Sequence, residues 1–373
     1  MLGYWVARTD AGFTDTTKVV LAMSPNCREA NNMSDPVTEG IDAPKVTSWF
    51  SQHVPGVKPP LSFELIAGGH SNLTYRVQDQ NEEAYVLRRP PLGHVLATAH
   101  DMAREHRIIS AVGNTDVPVP PTLGVCEDLE VNAAPFYVME YVEGDVLHSD
   151  VEAALTSHRE RIDLSRQVVE VLAELHSVEP QDIGLGDLAK REDYLGRQLR
   201  RWSRQWEQSK TRELAVMEEV QELLERHKPS QIGSTIVHGD YRLGNMLTRS
   251  GRILAVLDWE LCTLGDPLAD VGYLLNNWVE PDEVPAGSSA PTLAGGFASR
   301  EELMSWYEQA SGRDVSGVAY YRAFSYWRLA AIVEGVLNRY VNGAMGDQDD
   351  VDISIFKEQV ETLSVGALEL LSD

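Results

Sequence analysis

The order of patterns along the chain predicts an α+β fold in two lobes, an N-terminal antiparallel sheet followed by a larger, mainly helical lobe. Three observations carry this. Short alternating apolar segments, separated by glycines and polar turns, fill the region up to Gly144. Long amphipathic stretches dominate after it, and one β-rich island, Ser234 to Asp258, interrupts them.

The first 40 residues lack periodicity and are rich in Thr, Asn, Asp and Ala, so 1–40 is expected to be a disordered extension. Met33 is an alternative start of translation. The N-terminal lobe is assigned to 41–143. Trp49 and Phe50 open a short helix. The runs Phe63 to Ile66, Leu73 to Val77 and Ala84 to Arg88 alternate as strands. Ala97 to Val112 has helical spacing, ends before Pro118, Pro120 and Pro121, and precedes two further strands at Pro121 to Cys126 and Phe136 to Tyr141. The helical lobe is assigned to 144–373, with amphipathic stretches at 160–177, 191–227, 300–311 and 319–342.

Composition is that of a globular chain: 43% hydrophobic and 24% charged residues support a sizeable core. The formal charge of −25 disfavours phosphate backbones and anionic lipid, so neither nucleic acid nor a membrane is expected as a partner. Cys27, Cys126 and Cys262 are far apart without a C-x-x-C pair, which fits a reducing cytoplasm. No apolar run approaches the ~18 residues of a membrane span.

The chemistry concentrates between Ile236 and Asp270. An apolar strand delivers His238-Gly239-Asp240, Asn245 follows five residues after that aspartate, a second apolar strand ends in Asp258, and Gly265-Asp266-Pro267 leads to Asp270. Phosphoryl transfer needs this set. Asp240 can accept the proton of an attacking hydroxyl, and Asn245 and Asp258 offer the hard oxygen ligands that Mg²⁺ prefers. Asp266 and Asp270 are expected to brace the catalytic loop or cap the next helix. A rival reading makes His238, Asp240 and Asp258 ligands of a hydrolytic metal site, but it leaves the Asn spacing unexplained.

With these residues the chain resembles the aminoglycoside phosphotransferase family, the small-molecule branch of the protein-kinase-like fold that includes choline kinases. More closely, Gly68-Gly69-His70-Ser71-Asn72, Val86-Leu87-Arg88-Arg89 and His238 to Asn245 look like the kinase-like domain fused to some acyl-CoA dehydrogenases. The resemblance implies a two-lobed kinase-like fold using ATP and Mg²⁺. Gly68, Gly69, Ser71 and Asn72 then form the loop over the phosphates. A cation on the third strand, Arg88 where the family usually has lysine, grips them with a helix carboxylate, Glu105. Arg89 is the alternative to Arg88, and strand alternation favours Arg88. Adenine would bond backbone groups at the hinge, around Glu140 and Val142.

The resemblance implies a hydroxyl-bearing small molecule as acceptor. In the helix from Leu195 to Trp206, Arg197, Arg200, Arg201 and Arg204 form a stripe opposite an apolar face. It is either a solvated, salt-bridged surface or a site for an anionic acceptor such as a hydroxyacyl-CoA. Arg328 and Arg339 are weaker candidates of the same kind. An aminoglycoside or amino-alcohol kinase, drawing its cationic substrate to Glu280, Asp282, Glu283 and the acidic tail from Asp347, is the competing enzyme. A nucleotide-binding pseudokinase is the non-enzyme alternative.

Overall fold

Hydrophobic periodicity and caps explain most of the elements that form. A computed structural model describes residues 38–67, 72–92, 101–283, 290–342 and 352–372. They divide into two compact units, one running to Ala103 and including Leu123–Val138, the other comprising Arg104–Thr122 and the chain from Met139. The expected extension lies outside the described residues, apart from its last three positions.

In the first unit α1 (Ala43–His53) starts at Asp42, whose side chain accepts from the Lys45 N–H at 3.3 Å. Its buried Val46, Trp49 and Phe50 recur at helical spacing. Strands β1 (Ser62–Ala67), β2 (Leu73–Gln78) and β3 (Ala84–Arg89) pair antiparallel, with Tyr75 opposite Leu87 and Leu65 opposite Tyr75. The next helix, α2 (Met102–Val112), belongs to the second unit from Arg104 onward. After it come β4 (Thr122–Cys126), the single turn α3 (Leu129–Asn132) and β5 (Phe136–Glu140), completing a five-stranded sheet of order β1-β2-β3-β5-β4. Leu73, Tyr75 and Val77 alternate inward and pack with Phe50, Phe136 and Val138, as a half-buried strand must.

The second unit continues with β6 (Asp145–Val146), α4 (Asp150–Ala154) and α5 (His158–Ser177). Ser157 and Glu160 close a capping box on α5. The stretch expected as one helix over 191–227 is two, α6 (Tyr194–Ser209) and α7 (Ala215–Arg226). The break has a polar cause. Thr211 gives its N–H and its hydroxyl, each at 2.6 Å, to the wholly buried Glu334, and Arg212 adds an ion pair at 3.1 Å.

The β-rich island supplies β7 (Thr235–Val237), β8 (Met246–Arg249), β9 (Arg252–Val256) and β10 (Thr263–Gly265). β7 pairs with β10, and β8 lies between β6 and β9. Helices α8 (Leu268–Asn276), α9 (Arg300–Ser311), α10 (Val318–Val341) and α11 (Ser354–Ser372) finish the unit. The acidic tail is therefore partly structural rather than wholly solvating: Phe356, Val360, Leu363 and Ala367 of α11 are buried, and Phe356 stacks on Tyr340 of α10. Cys126 and Cys262 are both free and buried. Among the described residues no helix is long and apolar enough to cross a membrane.

Candidate active site

Strand β7 ends at Val237, and the chain turns at once through His238-Gly239-Asp240. His238 is fully buried and fixes the turn with both ring nitrogens: Nε2 lies 2.9 Å from Leu257 O, and Nδ1 accepts the Asp240 N–H at 3.2 Å. A ring so committed has no lone pair for a metal, which removes the hydrolytic-metal alternative. Gly239 has φ +85°, a left-handed geometry that favours glycine.

Beneath this turn Asp270, in the first turn of α8, accepts from the N–H of His238 at 2.6 Å and of Gly239 at 2.8 Å. Burial pushes its carboxyl pKa up, but the hydrogen bond from His176, the electrostatic pull of His176 and His238, and the Gly239 amide bond outweigh that, and the net shift is downward. His176 of α5 completes the brace. Its Nδ1 meets Tyr307 Oη at 2.7 Å and its Nε2 meets Asp270 Oδ2 at 3.4 Å. Burial lowers the His176 pKa, which favours its neutral form. Asp266, as expected of a cap, accepts from Leu268 N at 3.0 Å and from Ile232 N at 2.9 Å.

Asp240 itself is partly exposed, with 16% of its side chain open. Asn245 Nδ2 donates at 2.8 Å both to its carboxylate Oδ2 and to its backbone oxygen. That orientation leaves the amide oxygen of Asn245, the atom type a hard cation prefers, outside these bonds. Leu257 N–H donates to Asn245 O at 2.8 Å, so the segment leading from β9 to Asp258 is tied to the loop that carries Asn245. Asp258 adopts φ 66°, ψ 63°, a left-handed conformation uncommon for a residue with a side chain. Among the described residues no three His, Cys, Asp or Glu side chains gather as a metal cage. An amide and a carboxylate still suit Mg²⁺, which keeps several waters and binds through one or two carboxylates plus phosphates.

Two side chains that sequence reasoning missed touch the Asp240 carboxylate. Tyr273 of α8 donates its phenol O–H to Asp240 Oδ1. Arg242 Nε stands 3.5 Å from the same oxygen. Burial opposes the Arg242 charge, yet Asp240, Tyr273 and Asp258 together raise its pKa. Arg242 was readable in principle, two residues from Asp240 in an extended segment, whereas Tyr273, one helical turn beyond Asp270, meets Asp240 only through the packing of α8 under the loop. Arg328 of α10 is close as well. It donates to Gly239 O at 3.1 Å and its guanidinium lies 5.4 Å from the Tyr273 ring centre.

The remaining expected residues are placed as follows. Gly68, Gly69 and Ser71 lie outside the described residues. Asn72 is buried just before β2. Arg89 is buried and donates to Gly40 O and Pro90 O, so Arg88, on the other face of β3, remains the candidate phosphate contact. Glu105 is buried in the first turn of α2. Glu140 is exposed at the end of β5, its N–H bonded to Pro121 O at 2.8 Å, and Val142 follows half-buried. The arginine stripe is not four free cations. Arg200 pairs with Asp193 at 3.0 Å, Arg197 bonds Lys190 O at 2.5 Å, and Arg201 covers the Trp202 ring at 5.3 Å, while Arg204 is exposed.

Residues 62–305, well over half of the chain, match the model of the phosphotransferase enzyme family APH. The chain belongs to the phosphotransferase enzyme family. It is 37% identical over 296 residues to mouse acyl-CoA dehydrogenase family member 10, covering 76% of this chain and 27% of that protein. To human acyl-CoA dehydrogenase family member 11 it is 30% identical over 340 residues, covering 88% of this chain and 43% of the relative. The chain thus spans less than half the length of these curated relatives. Among solved structures, a Ralstonia eutropha JMP134 protein assigned to the aminoglycoside phosphotransferases superposes with a TM-score of 0.76 at 34% identity, covering 89% of this chain and 98% of that one. The chain therefore has the kinase-like fold that its sequence predicts.

Proposed function

We propose that the protein transfers the γ-phosphoryl group of ATP to a hydroxyl of a small-molecule acceptor. The observation that carries this reading is the single cluster in which Asp240, held by Asn245 and by the Asp270-braced turn, lies next to the segment after β9 that bears Asp258. Asp240 orients the acceptor hydroxyl and takes its proton as the O–P bond forms. Asn245 and Asp258 would hold Mg²⁺, which supplies charge neutralisation on the phosphates. Arg88 and Asn72, Glu105, and the backbone around Glu140 and Val142 are assigned to the nucleotide. Such catalysis is mainly orientation and charge stabilisation.

Asp240→Asn should lower transfer by roughly 10²–10⁴-fold while leaving nucleotide binding intact. ADP release and a nucleotide-induced thermal shift measure the two separately, and normal turnover by the variant would overturn the role of Asp240.

For the acceptor we favour a hydroxyacyl-CoA. The names of the acyl-CoA dehydrogenase relatives support that class, as does the exposed Arg204 beside Arg201. A screen of hydroxyacyl-CoA thioesters, aminoglycosides and amino alcohols for acceptor-dependent ADP release decides among them. Release with an aminoglycoside or amino alcohol alone would overturn the choice.

A further inference from the structure

Asp240 is covered on both carboxylate oxygens by its own chain. Oδ2 accepts from Asn245 Nδ2 at 2.8 Å, and Oδ1 accepts the Tyr273 phenol O–H. An acceptor hydroxyl that passes its proton to Asp240 needs one of these oxygens. Each carboxylate oxygen can accept two hydrogen bonds; Oδ1 already faces both the phenol and Arg242 Nε at 3.5 Å, so an acceptor hydroxyl that comes to Oδ1 has to take the place of the phenol.

Resting on the phosphotransferase reading above, we infer that Tyr273 is a specificity gate: its phenol occupies the acceptor's place on Asp240 Oδ1, keeps water from being activated there, and yields to an acceptor hydroxyl. The energetic logic is differential. A water molecule offers only the hydrogen bond it would replace, whereas an acceptor brings binding energy from the rest of its structure to drive the exchange. Without the gate, water attacks the γ-phosphorus, the bond from that phosphorus to the ADP oxygen breaks, and the water proton passes to Asp240 and then to solvent.

The surroundings make this a side-chain movement. Helix α8 is tied to the loop by Asp270 and packs tightly on α10 at Gly272, where an added Cβ would lie 2.8 Å from the Tyr321 carbonyl carbon. Tyr273 itself is only half-buried. Next to its ring, Arg328 Nε is buried and has no hydrogen-bond partner among the described residues, and it is a donor that a displaced phenol oxygen can take.

The test needs no knowledge of the acceptor, because water is the probe. The full chain is supplied with Mg²⁺ and ATP alone, and ADP release is followed. Tyr273→Phe, which removes only the hydroxyl, should raise release by roughly ten- to a hundredfold, the weight of one hydrogen bond to a charged group. Tyr273→Leu should raise it too, and adding Asp240→Asn to either should abolish the gain. The thermal shift on adding Mg²⁺ and ATP reports folding and nucleotide binding. A variant that keeps this shift but releases ADP no faster than the parent overturns the gate alone, as does a gain that survives Asp240→Asn. Absence of any shift in the parent protein overturns the phosphotransferase reading and the gate with it.

Discussion

Gly239 makes the turn between His238 and Asp240 at φ +85°, and a Cβ there would meet Leu261 O at 2.9 Å. Gly239→Ala therefore combines left-handed strain with a backbone clash. It should cost about 1–3 kcal/mol, read as a lower urea midpoint, and turnover should fall more steeply because Asp240 is displaced. At this scale the sequence was informative wherever chemistry depends on spacing along the chain. Asp240, Asn245 and Asp258 stand within one stretch of strand, loop and strand, and the structure gathers them as that order implies. Tyr273 was not legible, since its bond to Asp240 exists only because α8 is anchored under the loop by Asp270. The arginine stripe shows the converse. Its face was correctly read as opposite Leu195, Leu199, Trp202 and Trp206, all buried, but the partners that consume Arg197 and Arg200 come from the preceding residues.

Helix α11 is the element whose role the charge pattern concealed. The tail from Asp347 has eight acidic residues and one lysine, yet within it Phe356, Val360, Leu363 and Ala367 recur at i, i+4, i+7 and i+11. Those four are buried, and the acids lie on other faces or outside the described residues. Leu363→Ala should destabilise the protein by about 2–5 kcal/mol, the usual cost of emptying a packed leucine site, seen as a lower unfolding midpoint. No change would mean that α11 does not belong to the folded unit. The split between α6 and α7 had no signal in its own sequence, because the group that ends α6 is Glu334, more than a hundred residues away on α10.

For the molecule as a whole, acid stability follows from its buried histidine. Burial lowers the His176 pKa, so between its unfolded value of about 6.5 and its lower folded value the unfolded chain binds the extra proton. Its contribution is complete above that unfolded value and is lost as the pH falls below it. Asp270 is shifted down as well, so its contribution is present above about pH 3.9 and disappears as the pH drops through its folded pKa. The charge of −25 acts in the other direction, since protonating other carboxylates relieves repulsion. Comparing His176→Gln with the parent isolates the histidine: the variant's Tm should fall less between pH 6.5 and pH 5, and parallel curves would show that His176 does not titrate with unfolding.

His238 reaches Leu257 O, Leu257 reaches Asn245 O, and Gly239 is pressed against Leu261. Asp240 and Asp258, though eighteen positions apart in the sequence, are thereby parts of one body. Neither loop can open while the other stays closed. The working life of the site is thus the life of the fold around it, counted on the slow clock of cooperative unfolding and not on the fast one by which surface loops come and go.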